Sequence, residues 1–389
     1  MKIYKIGELC SFSKGASIPR DRMLQSGTIN YLHYGDLYKG HNLYINIEDQ
    51  ETPIPFISSF EKAKDSQYAK DGDIVYVLTS ETVEDLGKAL LLQNPNHQIV
   101  VAGTETTIMH VDKKDIIEPA YLNYLLQTKC FKKTLQQYTT GMKVFRVHPR
   151  DISRIEIKVP NIEKQRAIIK ILDQIHFKIR INNRINDYLS ELIEAIFVEW
   201  FVGANSRYPT KKVLMDEIAF VNAGGDKPDV WQKCQTEEFP IPIFSNGIDN
   251  EGLYGYTTTA KITKPSITVS ARGTIGFTCL RHEPYYPIVR LVSATPRDYV
   301  TAEYLYLWVK RATVIGVGTT QQQLTVPMFK NYEVDVPDAT SMEEFTRVTT
   351  PLFKMVDANK AENRKLSELR NALLPKLISG EVDISKVVI

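Results

Sequence analysis

The chain has 389 residues, 43% of them hydrophobic and 24% charged, a balance that builds two or three cored domains and excludes a disordered or fibrous chain. Its formal net charge is only +2, so any nucleic-acid role requires positive charge gathered locally, without a basic tail. Cys10, Cys130, Cys234 and Cys279 show no CxxC spacing and the histidines do not cluster, so neither zinc nor a disulfide framework is indicated; no apolar run of about 18 residues occurs, so a cytoplasmic protein without a membrane anchor is expected.

Residues 1–160 read as a mixed α/β region. Asp71-Gly72-Asp73 is a turn signal, and the apolar run at 74–78 behind it is a buried strand. Polar residues follow at 79–82, then a second apolar run at 89–92. The segment 118–128 predicts a helix with Pro119 in its first turn. Residues 138–150, YTTGMKVFRVHPR, read as a loop rich in Gly, Thr and basic side chains, and a strand at 155–159 closes the domain.

Residues 161–205 predict one long helix, without Gly or Pro up to Trp200. Apolar Ile168, Leu172, Ile175, Ile179, Leu189, Ile193, Ile196 and Trp200 follow steps of three and four, the spacing of a coiled-coil seam. Two seam positions are instead Asn182 and Asn186. Such a helix would be roughly 55–60 Å long.

The pattern returns at one fixed offset. Asn182 and Asn186 recur as Asn359 and Asn363, Leu189-Ser190-Glu191-Leu192 as Leu366-Ser367-Glu368-Leu369, Val159-Pro160 as Val336-Pro337, and Gly141 as Gly318. The chain therefore reads as a tandem duplication, with a second domain at 206–337, a second helix at 338–380 and a tail at 381–389 that lies on the surface or docks as a strand. The expected fold class is α+β: two mixed domains in tandem, each followed by a long helix, the helices forming an antiparallel coiled coil. That pairing puts Asn182 opposite Asn363, Asn186 opposite Asn359, Ile168 opposite Leu377, Leu172 opposite Leu373, Ile193 opposite Leu352 and Trp200 opposite Phe345, the Asn layers fixing register. It also gathers like charges: Lys164, Arg166 and Lys170 near Arg370 and Lys376, and Glu194 and Glu199 near Glu343 and Glu344. Pro351 and Pro375 predict a second helix that is kinked or shorter than the first.

The two domains keep a common plan with different loops. Residues 266–269 match the strand at 74–78, the loop 270–276 stands where the first half has 79–87, and 318–324 takes the place of 141–147. No phosphate-binding GxxxxGK[ST] loop occurs, and no amino-methyltransferase tetrapeptide with a Gly-rich cofactor loop. Asp112-Lys113-Lys114 and Glu156-Ile157-Lys158 are chance-grade strings for a nuclease, and the histidines show no base–nucleophile arrangement. No catalytic residue and no metal ligand is therefore expected.

Arg suits guanine, and Asn or Gln suits adenine, as bidentate readers of the major groove. Loop residues of these types, with neighbouring hydroxyls, are Thr79, Ser80, Lys143, Arg146 and Arg150 in the first half, and Asn246, Arg272, Thr274, Gln321, Gln322 and Gln323 in the second. Lys14, Arg20, Arg281 and Arg290 are candidates for phosphate contacts.

Taken in order, these strings resemble the specificity subunit of type I restriction–modification systems over essentially the whole chain. The resemblance is carried by the domain–helix–domain–helix layout, by Asp71-Gly72-Asp73-Ile74-Val75, by Ser270-Ala271-Arg272-Gly273-Thr274-Ile275-Gly276, by the two Val-Pro helix entries, and by the run 373–381. One departure is that Glu163-Lys164-Gln165 at the first helix start becomes Thr340-Ser341-Met342 in the second. The resemblance implies a non-catalytic subunit that binds double-stranded DNA, each domain reading half of a bipartite target and the helices setting the spacing. It implies as partners two adenine-N6 methyltransferase subunits and motor–nuclease subunits, with S-adenosylmethionine, ATP and Mg2+ used only by those partners. Phe177 and Phe197 are candidates for the methyltransferase dock, with core packing the favoured role for such large apolar side chains. Competing expectations are a self-sufficient DNA methyltransferase or nuclease component, and a coiled-coil scaffold with no DNA role.

Overall fold

The computed structural model describes residues 1–38, 40–49, 52–61, 63–83, 85–312, 314 and 323–382. Two compact units are present, one of residues 1–181 with 362–389 and one of residues 182–361. Each unit is a mixed sheet-and-helix body together with one end of each long helix, Ile162–Phe201 and Ala339–Ser379.

The first unit is built on five strands in the order Cys10–Lys14, Thr106–Val111, Ile74–Val77, Lys88–Gln93, Tyr44–Asn46. Ile74–Val77 is buried at every position because both faces of this sheet are covered, so its run is continuously apolar instead of alternating. Ile74, Tyr76, Leu91 and Met109 face a cluster with Tyr121, Leu122, Ile168, Leu172 and Leu377. Val75, Val77, Leu90 and Ile108 face the opposite cluster, which includes Leu32, Val100 and Ala102. Leu32 and the last two come from a second, four-stranded sheet ordered Ile99–Ala102, Ile29–Leu32, Phe56–Ile57, Met23–Leu24.

The first long helix is tied to this unit by polar contacts as well as core. Gln165 is fully buried, donates to the carbonyls of Ile116 (2.8 Å) and Pro160 (2.9 Å) and accepts from the Glu118 amide (2.8 Å). The hydroxyls of Tyr44 and Tyr124 both donate to Asp173, and Arg180 pairs with Asp49 at 2.6 Å. Arg166 pairs with Glu118 at 2.6 Å, so one of the like charges expected to crowd the helix ends has an acidic partner in the domain.

The second unit repeats the plan with a four-stranded sheet ordered Ala219–Ala223, Val292–Pro296, Ser266–Val269, Thr278–Arg281. A smaller sheet runs Trp231–Gln232, Leu253–Thr257, Ile241–Phe244, Tyr286–Pro287. Its core joins Ile193, Phe197, Trp200 and Phe201 of the first long helix to Phe345 and Phe353 of the second. Trp200 and Phe345 meet edge to face at 5.9 Å, a favoured ring arrangement. Glu194 is held by Lys310 (3.2 Å) and Arg311 (3.3 Å), and Glu344 by Arg207 (3.5 Å), so the acidic end is also neutralised from the domain.

The departure at the helix starts has a packing reason. Met342 is buried in the second core at the place where Gln165 is buried in the first, so one position carries a polar tie in one repeat and an apolar plug in the other. Both starts are capped alike, by Asn161 accepting from Lys164 N–H (3.0 Å) and Asp338 accepting from Ser341 N–H (2.8 Å).

The second helix, at 41 residues against 40, is not shorter than the first, which corrects the shorter-helix alternative of that expectation. Pro351 and Pro375 are both exposed, and so are Arg347 and Asn371, whose carbonyls lose their N–H partners there; both positions lie on the solvent side, and the helix continues through them. Gly380, at φ 82°, ends the helix with its N–H on the Lys376 carbonyl at 3.1 Å, and Val382 packs against the first core; the tail at 383–389 lies outside the described residues.

Within the second unit Asn359 Nδ2 donates to Asn186 Oδ1 at 2.8 Å, a polar layer in an apolar seam. Asn182 and Asn186 are both buried, and Asn363 is half-buried. Asn359→Leu strands the Asn186 amide, and a loss of about 1–3 kcal/mol is expected in urea unfolding. The double change Asn186→Leu with Asn359→Leu removes both polar groups and is expected to recover that loss. A single variant as stable as the unaltered chain would contradict a buried, paired layer.

Candidate nucleic-acid interface

In the first unit the residues singled out from sequence fall into one ribbon and two outliers. Thr79–Ser80 and Phe145–Arg146 pair antiparallel, with Arg146 opposite Thr79 and Phe145 opposite Ser80. Backbone bonds between Thr140 and Arg146 (2.9 Å each way) close a loop whose tip carries Lys143, and Val147 N–H donates to the Leu78 carbonyl at 3.0 Å. Arg150 follows in the first turn of the short helix Pro149–Ile152, its N–H on His148 Nδ1 at 3.1 Å. Lys143, Arg146 and Arg150 are exposed, and Met142 at the tip is 94% exposed. Lys14 ends the strand Cys10–Lys14, whereas Arg20 is bound to Asp36 at 2.8 Å.

Gly141 permits the loop. Its φ is 110°, and a Cβ there would stand 2.0 Å from the Val144 carbonyl oxygen. Gly141→Ala must therefore open the tip while leaving the core strands intact. The expected outcome is a melting temperature close to that of the unaltered chain with duplex affinity lowered about tenfold, taking roughly 1 kcal/mol or more for a displaced charged loop. Unchanged affinity would show that the ribbon does not touch DNA.

In the second unit several loops converge on Asn246. Its Oδ1 accepts from Ala271 N–H and its Nδ2 donates to the Val289 carbonyl, each at 2.7 Å. Arg272 donates from Nε (3.2 Å) and Nη2 (3.0 Å) to Gln323 Oε1, and Leu324 N–H donates to the Ala271 carbonyl at 3.0 Å. Arg290 is exposed next to Val289, and Thr274 is exposed on the same loop as Arg272. Gln321 and Gln322 lie outside the described residues.

Arg281 is not a surface cation, which corrects its expected role as a phosphate contact. It is buried, lies over the Phe244 ring at 3.6 Å, and donates to Thr268 Oγ1, the Glu251 carbonyl and the Glu251 carboxylate. Its sequence position gave no sign of this, because Glu251 and Phe244 are brought to it by the fold. Two lysines escaped notice for the converse reason. Lys227 lies over Trp231 at 4.3 Å and Lys261 over Tyr286 at 4.4 Å, basic side chains beside aromatic rings on the smaller sheet.

The arginines divide by partner. Arg20, Arg22, Arg166, Arg180, Arg207 and Arg311 each hold a carboxylate. Among the described residues Arg146, Arg150, Arg272 and Arg290 on the candidate loops have no carboxylate partner, and neither have Arg297, which lies over the Phe220 ring, nor Arg364 and Arg370 of the second long helix; the charge of the four loop arginines is available to an anionic ligand. A chain with a net charge of +2 concentrates positive potential in this way, by leaving a few cations without acids.

The histidines are less scattered than their spacing suggests. Ser13 Oγ lies 2.9 Å from His110 Nε2, and His110 Nδ1 lies 3.0 Å from Asp73 Oδ2. This is a base–nucleophile line that the sequence did not reveal. Ser13 stands within a regular strand opposite Ile108, and not on a strained turn, so the line serves to tie neighbouring strands. Among the described residues no group of three or more His, Cys, Asp or Glu is placed to hold a metal ion, and no helix is long and apolar enough to cross a membrane.

Comparison with known proteins agrees with this layout. A putative type I specificity subunit from Mycoplasma pneumoniae is 29% identical over 52% of this chain and 56% of its own length; a second from that organism is 33% identical over 38% and 45%. The chain thus spans about half the length of these two relatives. The HindI specificity subunit of Haemophilus influenzae is 23% identical over 80% of this chain and 87% of its own, and the MjaIX specificity subunit of Methanocaldococcus jannaschii 20% over 99% and 94%. The crystal structure of a type I restriction–modification S subunit from M. genitalium shares the fold, with a TM-score of 0.60 at 13% identity over 97% of this chain and 95% of its own. The model of the type I restriction modification DNA specificity domain matches residues 1–191 and again 211–368. The chain belongs to the type I restriction–modification specificity family and carries two copies of its DNA specificity domain.

Proposed function

We propose that this chain is the DNA-reading subunit of a type I restriction–modification complex, each unit reading one half of a bipartite duplex target. The observation that carries this reading is the placement of four acid-free arginines: Arg146 and Arg150 around one repeat's Gly-Thr loop, Arg272 and Arg290 on the loops of the other. The long helices set the gap between half-sites and dock the methyltransferase subunits. Docking surface is supported by apolar side chains left in water on the first helix: Phe177 in the first unit, stacked on Tyr44, and Ile185, Tyr188 and Leu192 in the second. Phe197 is removed from that surface, since it is buried in the second core.

On this reading the chain performs no chemistry itself and needs no cofactor. Two adenine-N6 methyltransferase subunits bring S-adenosylmethionine, and motor–nuclease subunits bring ATP and Mg2+. The test is duplex binding by the full chain as salt is varied. A linear fall of log affinity with log salt is expected, with a slope of about −0.9 for each phosphate neutralised. A coiled-coil scaffold without a DNA role predicts no salt-dependent binding, and methyltransferase activity of the chain alone would favour a self-sufficient enzyme.

A further inference from the structure

The loops around Arg272 are fixed more firmly than a surface cation requires. Ala271 and Leu324 are both buried and joined by a backbone bond, so Arg272 and Gln323 project side by side from anchored positions. Asn246 bonds the loop at Ala271 to the loop at Val289. Val289 and Arg290 are in turn held at φ 53° and 60°, uncomfortable for a β-branched residue, by their N–H groups on the carbonyls of Gly225 (2.9 Å) and Gly224 (2.8 Å). Strain of that kind persists where the surroundings impose a pose.

Gln323 Oε1 occupies the Nε–H and one Nη2–H of Arg272. The remaining donors form the end-on fork, which matches the O6 and N7 acceptors of guanine in the major groove. Because its partner is a neutral amide, the guanidinium keeps its full charge, unlike Arg20 on Asp36 or Arg311 on Glu194.

We propose that Arg272 reads a guanine in the half-site of the second unit, with Gln323 and Asn246 as positioning residues that aim its fork. Asn246 and Gln323 are then not adenine readers, because the amide oxygen of each, and the Nδ2 of Asn246, are committed within the protein. The proposal rests on the reading that this unit contacts half of a duplex target.

The test is selection from a randomised duplex library by the full chain at fixed salt, with thermal melting as a folding control. The unaltered chain is expected to select two fixed halves. Arg272→Ala and Arg272→Lys should each make one guanine position degenerate, with discrimination there falling about 10- to 100-fold, and leave the other half intact. Gln323→Ala should relax the same position less, while Gln323→Glu, which keeps the acceptor but offsets the guanidinium charge, should retain the guanine preference at a lower affinity for every duplex; a merely structural role would relax the position alike in both. Asn246→Ala should relax that position too. Equal weakening of every duplex by Arg272→Ala, with the motif unchanged, would make Arg272 a phosphate contact and overturn the proposal while leaving the bipartite reading in place. No selected sequence from the unaltered chain would remove the bipartite reading, and this proposal with it.

Discussion

Replacing Lys143, Arg146 and Arg150 together by Ala is expected to lower duplex affinity about 100-fold at physiological salt and to flatten the log–log salt slope by about 2–3. Each side chain is exposed, and none has a carboxylate partner among the described residues, so nothing in the fold depends on its charge. A cation that no longer neutralises its phosphate leaves close to one counterion unreleased, and at about 0.15 M salt that is roughly fivefold in affinity. Because the ribbon belongs to the first unit, any change in sequence preference should be confined to one half-site. Titration of a labelled duplex at four or five salt concentrations measures both quantities. A slope and affinity unchanged by the triple substitution would remove this ribbon from the interface.

The second large effect concerns His282, which clamps the second long helix to its domain. Its Nδ1 lies 2.5 Å from Asp357 and its Nε2 3.1 Å from Glu303, so both ring nitrogens must donate and the imidazole must be charged. Hydrogen bonds to Asp357 and Glu303 outweigh burial and raise its pKa to about 9. The folded value lies above the unfolded one, about 6.5, so the clamp's stabilisation is fully present below pH 6.5 and is lost as pH rises through about 9. With the His282 side chain 26% exposed, the contribution is on the order of 2–3 kcal/mol. His282→Ala should therefore lower unfolding stability by that amount at pH 6, with the difference from the unaltered chain shrinking toward pH 10. A pH-independent difference would mean that packing against Phe353, 6.3 Å away, matters more than charge.

Much of this architecture was legible because it is periodic. Asn186 and Asn359 could be matched by counting, and the strand at 74–78 announced itself as an apolar run after a turn. The smaller sheets were not visible, since two-residue strands such as Met23–Leu24 and Trp231–Gln232 have no period to detect. The candidate interface was legible as residue types but not as partnerships. Nothing near Arg281 in sequence foretells Glu251 beneath it, and Asn246 looks like a base reader until Ala271 and Val289 are brought to it. The His282 clamp escaped for the same reason, joining residues from a strand end, a helix start and a distant helix.

The most direct test of the bipartite reading is to express the chain with candidate methyltransferase subunits from its own genome and map methylated adenines in the host DNA. A single motif of two fixed halves separated by a constant gap is expected, one half altered by substitutions in the first unit and the other by substitutions in the second. A continuous motif, or one in which substitutions in either unit disturb both halves, would contradict it.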